Sequence, residues 1–145
     1  MELDLEMRKQ LRLLYKSNGF MNHNGMSVVS YEKDHAIFTM EIVPEACNPH
    51  GQAHGGALYG LADNAAATAV HTDGRLHVTQ SSNMYFLRSR TSGKIFAEAK
   101  IVHRGKTVSL IEVIITDEDG VHLATGNFSF YCIGPNNSDA SHIKL

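Results

Sequence analysis

Two neighbouring stretches carry side chains able to do chemistry: Asn48-Pro49-His50-Gly51-Gln52-Ala53-His54-Gly55-Gly56 and, further on, Leu61-Ala62-Asp63. His-Gly-Gly stands just before or at the start of an expected helix. There the first amide groups lack intrahelical partners and the helix dipole favours negative charge. Glycine lets a bulky group approach those amides, and an N–H aimed at a polarised carbonyl oxygen is the basis of an oxyanion hole. Asp63 follows about two and a half turns later. On a helical wheel it falls at the margin of the apolar stripe, near Tyr59 and Val70. A carboxylate held beside apolar groups can act as a general base on water or as a nucleophile. Asn48 adds a neutral polar group able to orient water or a carbonyl. Each element also has a plain structural reading: glycines shape the backbone before helices, a helical Asp is solvated or packed, and a lone His54 is a satisfied structural histidine. Only the combination points to chemistry.

A metal reading finds less support. His50 and His54 are spaced i, i+4, but Gly51 lies between them and the segment does not read as helical. No cysteine pair or His-Glu helix motif accompanies them. No metal is expected. Tyr59 either lines a ligand pocket or packs in the core or an interface, and the six methionines read as core filler.

The elements that must position these groups follow from periodicity. Leu3, Leu5, Met7, Leu11, Leu14 and Tyr15 predict an amphipathic helix over about 2–17, ending near Ser17-Asn18-Gly19. Met26–Tyr31 and Ala36–Val43 read as strands, the second closed by Pro44. After an irregular segment, Ala57, Leu58, Leu61, Ala62, Ala65, Ala66 and Ala69 form a wide, mostly alanine stripe on a helix reaching about His71. Such small side chains let a helix approach a sheet closely, so this helix is expected to be central. Four strands follow: Val78–Arg88, a run around Ile95–Ile101, Val108–Thr116, and a last one carrying Ala124, Gly126, Phe128 and Phe130 on one face. Turns at Thr91-Ser92-Gly93, Arg104-Gly105-Lys106 and Asp117–Gly120 separate them. From Gly134 the tail is polar. The expected architecture is one α+β domain, residues 1–145, whose antiparallel sheet curls around the Ala-rich helix.

Composition narrows the partners. The 145 residues are 43% hydrophobic and 19% charged, too apolar for a disordered chain. The net charge of −2 comes without a basic block, which argues against nucleic acid. The stretch from Gly55 to Val70 is interrupted by Asp63 and Asn64 and is no bilayer span, so no membrane partner is expected. The sparse cysteines, Cys47 and Cys132, fit a reducing compartment. The acidic N-terminus shows no secretory signal, leaving a soluble cytoplasmic protein as the expectation.

The pattern Asn48…His54-Gly55-Gly56…Leu61-Ala62-Asp63, within this element order, resembles the hotdog-fold acyl-CoA thioesterases, most closely their phenylacetic-acid-degradation (PaaI-type) branch. The likeness spans about residues 10–133 and includes Tyr85-Phe86-Leu87-Arg88 and the Gly-Lys turn at 105–106. It implies that the Gly55 N–H polarises the thioester carbonyl, that His54 shapes that site, with Gly56 beside it, and that Asn48 lies beside the thioester. Asp63 then activates water or attacks directly, and a strand hydroxyl assisting it falls near Thr79, with Ser81 and Ser82 as alternatives. The resemblance also implies active sites at a subunit interface, hence a homodimer or homotetramer. It places the CoA nucleotide against Arg88, Arg104, Gly105 and Lys106, where cations on turns suit phosphates. Coenzyme A enters only as part of the substrate, and no separate cofactor is expected. Two departures from the branch pattern, the small Asn64-Ala65-Ala66-Ala67 after the carboxylate and Tyr85 before Phe86-Leu87-Arg88, bear on the acyl pocket. The alternatives are a hydratase or dehydratase on the same scaffold, which needs a base over the acyl α- or β-carbon, and a non-catalytic acyl-CoA binder.

Overall fold

The computed structural model describes residues 2–135. Helix α1 spans Leu5–Ser17 and a short α2 spans Gly19–His23. Strands β1 (Met26–Glu32) and β2 (His35–Glu41) come next, then a single 3-10 turn at Pro44–Ala46 and the central helix α3 (Gly55–His71). Four strands complete the chain: β3 (Arg75–Phe86), β4 (Lys94–His103), β5 (Val108–Asp117) and β6 (His122–Pro135). All pair antiparallel in one sheet of order β1-β2-β4-β5-β6-β3.

Alternation along the strands sends one face of the sheet inward. Ala36, Phe38 and Met40 of β2, Ile95, Ala97 and Ala99 of β4, Ile111, Val113 and Ile115 of β5, and Phe128 and Phe130 of β6 are buried against Leu58, Leu61, Ala62, Ala65, Ala66 and Ala69 of α3. Alanines on both surfaces bring helix and sheet together, and the aromatic rings fill the space between. Leu61 is fully buried, and its truncation to alanine would cost about 2–5 kcal/mol through lost burial and a cavity.

The boundaries differ from the sequence reading at several points: β2 ends at Glu41 rather than Val43, and β3 runs Arg75–Phe86 rather than from Val78 to Arg88. The first helix begins at Leu5 rather than residue 2, because Asp4 caps it by accepting from the Met7 N–H at 2.8 Å. Gly19 does not end the helical region. Asn18 caps a second turn, accepting from Met21 N–H at 3.0 Å, and Phe20 packs onto α3 at Gly60, where a Cβ would lie 2.7 Å from the ring. The last strand extends through Gly134 and Pro135, paired with Leu76 and Arg75. The remainder of the expected polar tail, 136–145, lies outside the described residues. No helix among the described residues is long and apolar enough to cross a membrane.

Candidate active site

Helix α3 begins at Gly55 because His54 caps it: the Gly56 N–H donates to His54 Nδ1 at 2.8 Å. His54 therefore organises the helix start. With Gly56 satisfied in this way, the Gly55 N–H has no partner among the described residues, and it sits at the positive end of the helix dipole. The Phe86 ring covers this glycine, with ring carbons 3.5–3.8 Å from where a Cβ would stand. Asn48 shapes the approach. Its Oδ1 accepts from His50 N–H at 2.9 Å and Gln52 N–H at 3.1 Å, pinning the loop that leads to His54. A groove of about 330 Å³ opens here, lined by Asn48, Gln52, Gly55, Phe86, Leu87 and Arg88.

Asp63 lies two turns further along α3, half-buried. Burial pushes its carboxyl up from the ordinary range, and the Thr79 hydroxyl, donating to Oδ1 at 2.8 Å, opposes that rise. Of the three hydroxyls weighed in the sequence, Thr79 is the one that reaches the carboxylate. Ser81 pairs with Ser129 and Ser82 with the Tyr59 hydroxyl. Tyr59, one turn before Asp63, also packs edge-on against Phe128 and tilted against Phe86, with centroids 5.8 and 6.5 Å away.

The turn at 104–106 sits elsewhere. The Arg104 guanidinium is held at the other end of α3, donating to Val70 O and Asp73 Oδ2 at 2.8 Å each and pairing with Asp34. It closes the helix C-terminus, where free carbonyls and the dipole attract a cation. Two carboxylates and a carbonyl thus engage the guanidinium that the resemblance places against phosphate. Gly105 is required by packing, since a Cβ there would lie 2.0 Å from Val108 O. The carbonyls of Gly105 and Lys106 accept from Arg75, while the Lys106 side chain is exposed. Among the expected CoA-binding residues, only Arg88 lines the groove beside Gly55. Among the described residues no cluster of three or more His, Cys, Asp or Glu is arranged to hold a metal ion.

Sequence reasoning did not single out Phe86, Gln52 or Leu87 as groove residues. Their roles depend on how β3 and its exit lie over the start of α3, a long-range contact with no local signal.

Two distances frame the chemistry. Gly55 and Asp63 are eight positions apart on one helix, a rise of about 12 Å. A thioester carbonyl accepting from one and attacked by the other spans about 7 Å when the carboxylate attacks directly and about 10 Å when a water lies between them. Both fall short of that rise, so the two groups of one chain are not matched to a single carbonyl.

Residues 50–124 match the sequence model of the Thioesterase superfamily. The chain is 28% identical over 106 residues to the acyl-coenzyme A thioesterase PaaI of Escherichia coli (strain K12), covering 72% of this chain and 76% of that protein. The structure of the same E. coli protein superposes with a TM-score of 0.87 at 25% identity, over 92% of this chain and 98% of that one. A 1,4-dihydroxy-2-naphthoyl-CoA hydrolase of Listeria monocytogenes is 32% identical over 104 residues, covering 69% and 84% of the two chains. A Streptococcus mutans protein solved with acetyl-CoA bound superposes with a TM-score of 0.74 at 28% identity, over 77% and 91%.

Proposed function

The chain belongs to the thioesterase superfamily, and from that premise we propose that it hydrolyses acyl-CoA thioesters at a site shared by two copies of itself. The observation that carries this reading is the separation just described. An amide free to donate at Gly55 and a carboxylate at Asp63 are both present, yet too far apart to meet on one carbonyl. Two antiparallel copies bring Gly55 of one beside Asp63 of the other. Strand β3 favours such pairing. It is an edge strand of twelve residues with a single neighbour, and it ends in exposed Tyr85 and Phe86, followed by exposed Leu87. An edge of that length is a template for another chain.

In the reaction, the thioester carbonyl accepts from the Gly55 N–H, whose fixed dipole stabilises the charge developing on oxygen. Asp63 takes a proton from water as it attacks, or attacks itself to give an anhydride that water then opens. The tetrahedral adduct collapses, the carbon–sulfur bond breaks, and the CoA thiolate leaves and is protonated. Thr79 holds the carboxylate in place. Asn48 holds the loop beside the thioester, and the groove ending at Arg88 receives the CoA arm, with the guanidinium suited to its phosphates. Relatives described as acyl-CoA and 1,4-dihydroxy-2-naphthoyl-CoA hydrolases support a CoA thioester as substrate.

The test is thiol release from aryl, short-chain and long-chain acyl-CoAs by the wild-type chain and by Asp63→Asn. The variant is expected to lose about 100-fold or more in turnover, and near-normal turnover would sink the assignment. Saturable binding with no thiol release would identify a binder. Bleaching of an enoyl thioester without thiol release would identify a hydratase.

A further inference from the structure

Beyond the C-terminal end of α3, away from the groove, lie four side chains that the proposed hydrolysis does not use: Asp73 after the helix, Arg75 and His77 on β3, and Cys132 on β6. Antiparallel pairing sets His77 directly opposite Cys132, and residues so paired carry their side chains on the same face of a sheet. That face is the inner one. The His77 side chain is 1% exposed, and Cys132 is a half-buried free thiol.

His77 is held as a base must be. Its Nε2 lies 3.1 and 3.2 Å from the two Asp73 carboxylate oxygens. A carboxylate only accepts, so Nε2 carries the proton and, in the neutral ring, Nδ1 offers a lone pair. That buried Nδ1 has no partner among the described residues. The His71 ring stands edge-on with its centroid 5.5 Å away, but its two nitrogens are taken by Ala67 O and the His77 N–H. A buried acceptor without a donor is costly, and the donor that the strand register supplies is the Cys132 S–H.

The sulfur is only weakly engaged elsewhere. It contacts Gly134 O at 3.9 Å, a long and weak bond. At Gly134 a Cβ would meet nothing within 4 Å, which leaves a small molecule room to approach. Arg75 completes the group, anchored on the Gly105 and Lys106 carbonyls. Its guanidinium is raised chiefly by hydrogen bonding to Asp73 and further by the Cys132 sulfur, which places a cation within reach of the thiol. A neighbouring cation and a histidine able to take the proton are what turn a cysteine into a nucleophile.

We propose that Cys132, His77, Asp73 and Arg75 form an activated-thiol site that takes small disulfides and is modified by them at Cys132. Nucleophile, base and orienting carboxylate stand in the order that activates a thiol in covalent catalysis. The Cys132 S–H turns toward His77 Nδ1, which takes the proton, while Asp73 stabilises the imidazolium and Arg75 lies beside the thiolate. The thiolate attacks one sulfur of the disulfide, so that a new S–S bond forms to Cys132 as the old one breaks. The departing thiolate takes the proton from His77, and no further oxidant or reductant is needed. The site does not depend on the reading of Asp63.

The test treats the full, reduced chain with glutathione disulfide at pH 7 and follows the adduct by mass spectrometry, with peptide mapping to separate Cys132 from Cys47. The same cysteine in the urea-unfolded chain is the reference. Burial alone would make the native thiol slower, whereas the site should make it at least about 10-fold faster. His77→Asn should slow native Cys132 at least about 10-fold and leave Cys47 unchanged. A merely loosened fold would instead speed Cys47. If His77→Asn does not fold, as judged by circular dichroism and melting, Arg75→Gln removes the cation from a side chain that is 30% exposed and should slow Cys132 several-fold. A native Cys132 no faster than the unfolded one would overturn the site. So would a fast Cys132 that both variants leave unchanged.

Discussion

Replacing Gly55 with proline deletes one hydrogen-bond donor and little else, which makes it a sharp probe of the oxyanion site. Gly55 is the first residue of α3, the helical position where proline is favoured because its N–H has no helical partner and its φ is already suitable. His54 precedes it at φ −66° and ψ 135°, the extended conformation that a residue before proline requires. The new Cβ would stand 3.5 Å from the Phe86 ring, an ordinary contact. No protein hydrogen bond is lost, since none is made by that N–H among the described residues. Stability should therefore change by less than about 1 kcal/mol, while turnover should fall about 100- to 1,000-fold, the usual cost of one oxyanion donor. The same variant tests the shared site. Mixing Gly55→Pro and Asp63→Asn chains one to one, after unfolding and refolding together, gives hybrids in half of the dimers. Each hybrid holds one site with both native groups, so the mixture should recover about a quarter of wild-type activity from two nearly inactive parents. Thiol release measures the activity and native mass spectrometry counts the hybrids. Gly55→Pro retaining activity within a few-fold would refute the donor assignment. Hybrids that form but stay inactive would refute the shared site.

Other consequences follow from the same geometry. Burial raises the Asp63 carboxyl, so its ionised form is destabilised in the fold. Stability from this group is complete at low pH and lost as pH rises through the raised value. Asp63→Asn should accordingly melt higher than wild type at pH 7, with the difference vanishing on acidification. Thr79→Val removes the hydrogen bond that opposes the rise. The acid limb of kcat/KM should then move to higher pH, and an unmoved limb would separate Thr79 from the carboxylate. Asp73 accepts from Arg75, Arg104 and His77. Although burial pushes its carboxyl up, the bonds from His77 and Arg75 and the charge of Arg104 together hold it well below the usual range. Its contribution is present at neutral pH and lost as pH falls below about 4. Asp73→Ala leaves Arg104 with Asp34 as its one carboxylate partner, takes the carboxylate from Arg75 and the buried His77 as well, and should cost about 3 kcal/mol in urea unfolding. Arg88→Ala should raise KM about 10-fold with kcat little changed, and the difference should shrink in high salt, if the guanidinium meets only phosphate.

The sequence by itself determined the order of the main helices and strands, the start of α3 and the two groups on which the proposed chemistry rests. These are local matters: alternation of period two, a helical stripe of alanines, and a histidine followed by glycines at a cap. It also determined that Asp63 would sit at the edge of the buried stripe, because a helical wheel needs only neighbouring residues. Tertiary structure decided what depends on pairing at a distance. Thr79 rather than Ser81 or Ser82 meets Asp63 because the β3–β6 register shifts between Thr79 and Ser81, and a one-residue shift changes the face that follows. Arg104 has the residue type and turn position of a phosphate ligand, yet Asp34 and Asp73, 70 and 31 positions away, draw it to the end of α3. Phe20 on Gly60 and Tyr15 above Ala67 place α1 and α2 over the central helix, and no periodicity within either segment specifies that partner. Local pattern sets which face of an element is buried. Only the assembled fold sets what that face meets, since contact between remote segments is fixed by packing of the whole core.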